Sequence, residues 1–375
     1  MRITNDNGGS EPMKKARAIS INNIDQIIMF ENIRVIGHYL FKLFVHISRN
    51  LLLIMGLLMV NGLSHADEYE PEAYWEGTLG PLNIRSMSPG QALRLAPMPR
   101  SPYGLPQGET EVQFNIAGAS VFLQSPNEYL IDFNFTDTRI AVNHGFGNGW
   151  SAELSFNDRR IVNLNLDEVV EGFHDVFGID QNGRDENLSQ SRVEFPLSSV
   201  SLGKEINGIF SQTVGITVQK VLIDKSVSWP ALAVIFNSSI ETLNDGVIEE
   251  GAVDYALQLS LAQKKSTGYL YANLSYSKFG SNKTLAVIPL SDKQFSGMFG
   301  YEFTMEANEA FIVQYLFSEG VLEDLGALAD VSHEIHLGYK WRTERNIFEL
   351  GLVENIINFD NGPDVAFTFG VTHRI

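Results

Sequence analysis

The sequence predicts an all-β chain, an antiparallel transmembrane β-barrel of about 12 strands (10–14) preceded by a proline-rich N-terminal arm. Three observations carry that prediction. From Gly108 onward, runs of about ten residues alternate apolar and polar with period two, as strands do when their two faces meet different surroundings. The connections between the runs alternate short and long, which places the short turns at one end. The chain also has no cysteine, so no disulfide framework holds it.

Residues 1–66 read as an N-terminal extension and signal peptide. The run "LLLIMGLLMVNGL" (51–63) follows Arg34, Lys42 and Arg49 and precedes Ser64, His65 and Ala66. That is a basic region, an apolar core too short to span a bilayer comfortably and a small-residue cleavage site, which makes Asp67 the first mature residue. A signal anchor is the competing reading. Residues 1–28 lie ahead of a better start at Met29.

These 66 residues hold 7 Lys/Arg and 4 Asp/Glu, so of 27 basic and 45 acidic side chains 20 and 41 remain, a formal charge of −21. Such a chain excludes nucleic acid as a partner, because phosphates demand the opposite sign.

Residues 67–108 carry Pro71, Pro81, Pro89, Pro97, Pro99, Pro102 and Pro106. That density forbids a long helix or a central strand and predicts an extended arm, periplasmic or lumenal, with one short strand at "QALRL".

Residues 109–375 make the barrel. Strands are expected at 111–122, 129–144, 150–157, 214–222, 229–237, 252–263, 268–278, 294–304, 309–318, 332–341, 346–353 and 365–375. In "VDYALQLSLA", Val253, Tyr255, Leu257, Leu259 and Leu261 face one way and Asp254, Gln258 and Ser260 the other. The short connections are "GFGNG", "DKSV", "KKST", "EANE" and "RTER". The long ones are 158–213, 238–251, 279–293, 319–331 and 354–364, with 123–128 a short exception. In the last run, Phe367, Phe369, Val371, His373 and Ile375 share a face. An open apolar edge invites aggregation, so this strand is expected to pair with the first and close the sheet. Trp150, Trp229, Tyr269, Trp341 and Phe367 suit interfacial girdles. A soluble sandwich that buries the same faces is the alternative.

In the longest loop, "DEVVEGFHDVFGIDQNGRDE" places Val169, Val170, Phe173, Val176 and Phe177 at helical spacing before the turn Asn182-Gly183. Asp180, Asn182, Asp185 and Glu186 could ligate a hard cation there, although the spacing is not that of the twelve-residue calcium loop. "GPLNIRSMSP" (80–89), "PRSPYGLPQG" (99–108) and "EGFHDVFGIDQNGRDE" (171–186) resemble family 3187 of the domains of unknown function, found in Gram-negative bacteria. The resemblance implies an exported bacterial protein of one domain and supplies no activity and no catalytic residue.

Enzyme signatures are weak. In "HEIH", His333 and His336 lie on a strand and point to opposite faces, so they cannot share a metal. His144 and Ser151 flank a short turn and read as ordinary strand-end residues. With the apolar face turned outward, the lumen receives Glu111, Asp132, Glu153, Asp254, Glu302, Glu334, His336, Lys340 and Glu349, with neutral partners such as Asn115, Asn134, Gln258, Asn273 and Gln314. Acids outnumber bases, so a water-filled bore would favour cations, unless Arg85, Arg94 and Arg100 of the arm pair with the acids and make the arm a plug. The loops 238–251 and 319–331 hold acids and no Lys or Arg, so Ca2+ or Mg2+ bridging to an anionic leaflet is a further expectation, with no other cofactor. Outer-membrane lipid, lipopolysaccharide and, through the C-terminal strand, the barrel-assembly machinery are the expected partners. The sequence therefore reads as a cell outer membrane protein, a narrow acid-lined channel or solute-binding barrel, with a lipid-modifying enzyme or a structural, adhesive barrel as alternatives.

Overall fold

The computed structural model describes residues 78–125, 127–164, 166, 170, 172, 192–195, 200–201, 208–223, 230–244, 246–281, 284, 288–357 and 361–375. Fourteen strands form: β1 Thr110–Ser125, β2 Tyr129–Gly147, β3 Trp150–Ile161, β4 Arg192–Phe195, β5 Val200–Ser201, β6 Gly208–Ile223, β7 Ala231–Glu241, β8 Val253–Lys265, β9 Gly268–Lys278, β10 Lys293–Glu306, β11 Glu309–Ser318, β12 Ser332–Arg342, β13 Asn346–Asn355 and β14 Val365–Arg374. Twelve of them, all but β4 and β5, close into an antiparallel barrel. Each coincides with an expected run.

Closure occurs between β14 and β1, whose register runs unbroken from Glu111 opposite Arg374 to Ser120 opposite Val365. β1 also pairs with β2, so neither edge of the twelve-strand ring is left open. Short turns lie at one end of the barrel. The two-residue turn between β2 and β3 has Asn148 at φ 52° and Gly149 at φ 73°, the two positive values that a type I′ hairpin needs and that this Asn-Gly pair tolerates. The long connections gather at the other end.

Burial runs inside out. Ile140, Val142, Leu154, Phe156, Ile216, Phe236, Leu257, Phe299 and Phe369 are exposed on the outer wall, whereas Glu153, Gln258, Asn273, Glu302, Gln314, Glu334 and Glu349 are buried. A sheet that turns its apolar face outward and its polar face inward needs lipid outside, and closure satisfies every strand's ladder without an edge.

The pattern reverses at the long-loop end. There β1 and β2 rise past β14 and β3, and Ala119, Val121, Leu123, Ile131, Phe133 and Phe135 turn inward. They pack with Ile288, Leu290, Val321, Leu322 and Leu328 of the long loops in an apolar core of the soluble kind. This explains the one short connection at that end: 123–128 is the tip of a hairpin that outgrows the wall. β4 extends it by pairing with β2, Leu130 opposite Glu194, and β5 completes a small hairpin that the sequence reading missed.

Three expectations change here. Asp132 and Asn134, both taken for the lumen, lie by the unbroken register on the side of β2 that carries Ile140 and Val142, Asp132 above the wall and opposite Arg192 of β4. Those assignments followed the polarity of the side chains, whereas period two counted down from Ile140 puts both on the outward face. Tyr269, taken for a girdle, is buried inward against Tyr103 and Tyr271. Trp150 and Phe367 are exposed, and Trp341 stacks on Phe348. Trp229 and the signal segment lie outside the described residues.

Candidate functional site

Residues 78–107 of the arm occupy the bore. They contain three arginines and no acid, and their prolines hold the chain extended. An extended segment cannot satisfy its own backbone groups, so inside a barrel the wall must do it. The wall does so with side chains.

From Thr78, at the short-turn end, the chain rises. Glu302 accepts the N–H groups of Leu79 at 3.0 Å and Gly80 at 3.1 Å, the Thr78 hydroxyl at 2.7 Å and the Tyr271 hydroxyl at 2.7 Å. Lys340 donates to the carbonyls of Leu79 and Pro81, at 3.3 and 2.6 Å, and pairs with Glu349 at 2.8 Å. Glu349 in turn accepts Asn83 N–H with both oxygens, and Gln314 accepts Leu82 N–H at 3.0 Å. Higher up, Glu334 accepts the N–H groups of Met87 and Ser88 and the Ser86 hydroxyl, and it meets His336 Nε2 at 2.9 Å. The amide of Gln314 faces His336 Nδ1, so the network closes with the imidazole proton on Nε2.

At the top, where a short strand was expected at "QALRL", the arm instead makes a single 3-10 turn at Gln91–Leu93. Gln91 donates to the Glu319 carbonyl at 2.9 Å and accepts from Gln294 at 2.7 Å, while Ser88 meets Asn361. The apolar loop core lies against this apex. The descending limb begins where Asp254 accepts Arg94 and Leu95 N–H, at 2.9 and 3.1 Å. Gln258 holds the Met98 carbonyl, Asn273 and Ser260 hold the main chain of Arg100, and Gln219 holds the carbonyls of Ser101 and Pro102. Gly108 N–H then bonds to the Gly145 carbonyl and leads into β1.

Charge is matched along the way. Arg85 grips Asp137 with two hydrogen bonds, at 2.6 and 2.5 Å, the planar fork that makes such pairs strong. Arg100 and Arg139 both reach Glu153, and Arg159 lies 3.6 Å from Asp137. Of the expected lumen residues, Glu153, Asp254, Glu302, Glu334, Lys340 and Glu349 touch the arm directly. His336 acts through Glu334, and Glu111 pairs with Arg374 of β14. Asp137, Arg139 and Arg159 were missed, although each sits at an inward position of β2 or β3 and period two would have found them. A cavity of about 100 Å3 remains at the short-turn end, lined in part by Thr78, Arg100, Glu111, Gln219 and Lys340.

The other chemical expectations separate. His336 faces the bore and His333 bonds to Tyr315 on the outer side, so no shared metal forms. His144 bonds to Thr110, and by register it lies on the opposite face of the sheet from Ser151. Among the described residues no three His, Asp or Glu side chains gather as metal ligands. Asp180, Asn182, Asp185 and Glu186 lie outside them, as does Asp245 of the acidic loops.

The family model described as protein of unknown function (DUF3187) matches residues 66–375. The chain belongs to that family. No curated protein matches the sequence. Among solved structures, this DUF3187 protein is similar to an outer membrane channel from Pseudomonas putida F1, at 10% identity and TM-score 0.47, covering 73% of this chain and 98% of that one. It is also similar to the translocator domain of the autotransporter NalP from Neisseria meningitidis, at 10% identity and TM-score 0.43, covering 72% and 90%. The NanC porin gives 10% identity and TM-score 0.41 over 71% of this chain and 100% of that one.

Proposed function

We propose that this DUF3187 protein is an outer-membrane channel held shut by its own arm, and that a narrow acid-lined path for cationic solutes opens when the arm leaves the bore. The observation that carries this is the match between arm and wall. Glu302, Glu349, Glu334 and Asp254 spend their oxygens on arm N–H groups and on Arg94, so the same carboxylates that would attract cations hold the plug. An eight-stranded barrel is about filled by its side chains and a sixteen-stranded one leaves a channel, so a twelve-stranded bore has room for a folded-back strand of peptide. On this reading the outer wall meets lipid and lipopolysaccharide, and β14 is the strand offered to the barrel-assembly machinery.

Single-channel recording in a planar bilayer tests the proposal, comparing residues 67–375 with the same chain lacking 67–108. Rare or absent openings in the first and cation-selective steps in the second are expected. Insertion of both forms without conductance overturns the channel and leaves a structural barrel.

A further inference from the structure

The descending limb of the arm and the wall of β3, β6 and β7 enclose a second cavity, of about 40 Å3. One water needs roughly 10–15 Å3 of such space, so this one has room for more than a single molecule. Its charged lining is Arg85, Arg94 and Arg100 from the arm, Arg139 from β2, and Glu153 and Arg159 from β3. Neutral donors such as Asn157, Thr217 and Ser239 complete it.

The charges do not cancel. Asp137 serves Arg85 and Arg159, Glu153 serves Arg100 and Arg139, and Asp254 serves Arg94. Glu241 stands behind, its oxygens occupied by the Ser211 hydroxyl and the N–H groups of Gln212, Thr242 and Leu243. Five guanidiniums thus meet four carboxylates, and one positive charge is left over in a chain whose formal charge is −18. Donors are left over as well: Nε and Nη1 of Arg94 and Nε of Arg100 are buried without a hydrogen-bond partner, and the Arg94 side chain is 1% exposed. Water could take the hydrogen bonds but not the charge. Burying an unmatched charge is strongly unfavourable, and a small anion removes that penalty.

We propose that this cavity is an anion site, taking one halide-sized monovalent anion between the arginines of the arm and those of the wall. The anion fastens the descending limb to the barrel. Glu153 Oε2 and Asn157 Oδ1, acceptors without a donor, are served by water that shares the cavity. The site depends on the arm lying in the bore and not on whether the barrel conducts.

Bromide is the probe. Crystals of the intact mature chain grown in bromide are expected to show an anomalous peak in this cavity. Unfolding of the detergent-solubilised protein, followed at constant ionic strength while gluconate is exchanged for chloride, is expected to shift upward and saturate. In Arg94→Gln the peak and the saturable shift disappear, and Arg94→Lys retains part of both. A wild-type crystal without the peak, or an adventitious ion only, bound elsewhere, overturns the site. So does an unfolding midpoint that stays unchanged when chloride replaces gluconate.

Discussion

Lys340 and Glu349 show what single residues contribute. Both side chains are almost fully buried, at 2% and 3% exposure, 2.8 Å apart across the β12–β13 pair. Ion pairs so placed gain little over an apolar pair of the same volume, but removing one partner strands the other charge. Lys340 keeps the carbonyls of Leu79 and Pro81, which softens the loss. Glu349→Ala is therefore expected to destabilise the folded barrel by about 3 kcal/mol, and Glu349→Leu combined with Lys340→Met to recover only part of it, since the Leu79 and Pro81 carbonyls and the Asn83 N–H lose their partners. Denaturant unfolding of both variants in lipid vesicles measures this. Equal losses in the single and double variants would show that the charge pair is not the source. At this scale the sequence was legible wherever period two held. It misled at Asp132 and Tyr269, where residue type was followed against the alternation: period two puts Asp132 on the face of Ile140 and Tyr269 on the face of Asn273.

At the scale of elements, the ascending limb needs a floor without side chains. Gly338 of β12 pairs with Gly351 of β13, and the arm's Leu82 and Ile84 lie over them. A Cβ on Gly351 would stand 2.5 Å from the Ile84 Cδ1 methyl and 2.5 Å from Thr368 Oγ1, both ends of side chains and not backbone. Gly351→Val is thus expected to leave the wall intact while displacing the limb. Trypsin reports this, since Arg85 and Arg94 are buried in the wild type and become cleavable once the limb leaves. A variant that assembles normally and still protects both arginines would mean that the limb does not depend on this floor. The strands themselves were readable because each run meets the same contrast of lipid and bore along its length. The β4–β5 hairpin was not, because four residues and two residues inside a long loop carry too little alternation to register.

For the whole molecule, the division of charge between arm and wall is the decisive feature. The sequence showed acids on the inward face and arginines in the arm. It left two outcomes open, an acid-lined bore or a plug, since spacing along a strand says nothing about what crosses the lumen. The geometry of Arg85 on Asp137, Arg94 on Asp254 and Arg100 on Glu153 places the arm inside. Removing only those three charges, as Arg85→Gln, Arg94→Gln and Arg100→Gln together, keeps the length, the prolines and the backbone donors of the arm. It leaves Asp254 without its guanidinium, while Asp137 retains Arg159 and Glu153 retains Arg139. The bore then carries an excess of negative charge that its own peptide no longer balances. If the arginines hold the plug, this full-length variant opens often and favours cations, most strongly at low salt, where the Debye length of about 30 Å at 0.01 M spans the bore. If hydrogen bonds to Glu302, Glu334 and Glu349 suffice, it stays as silent as the wild type, and the plug is held by main-chain recognition and not by charge.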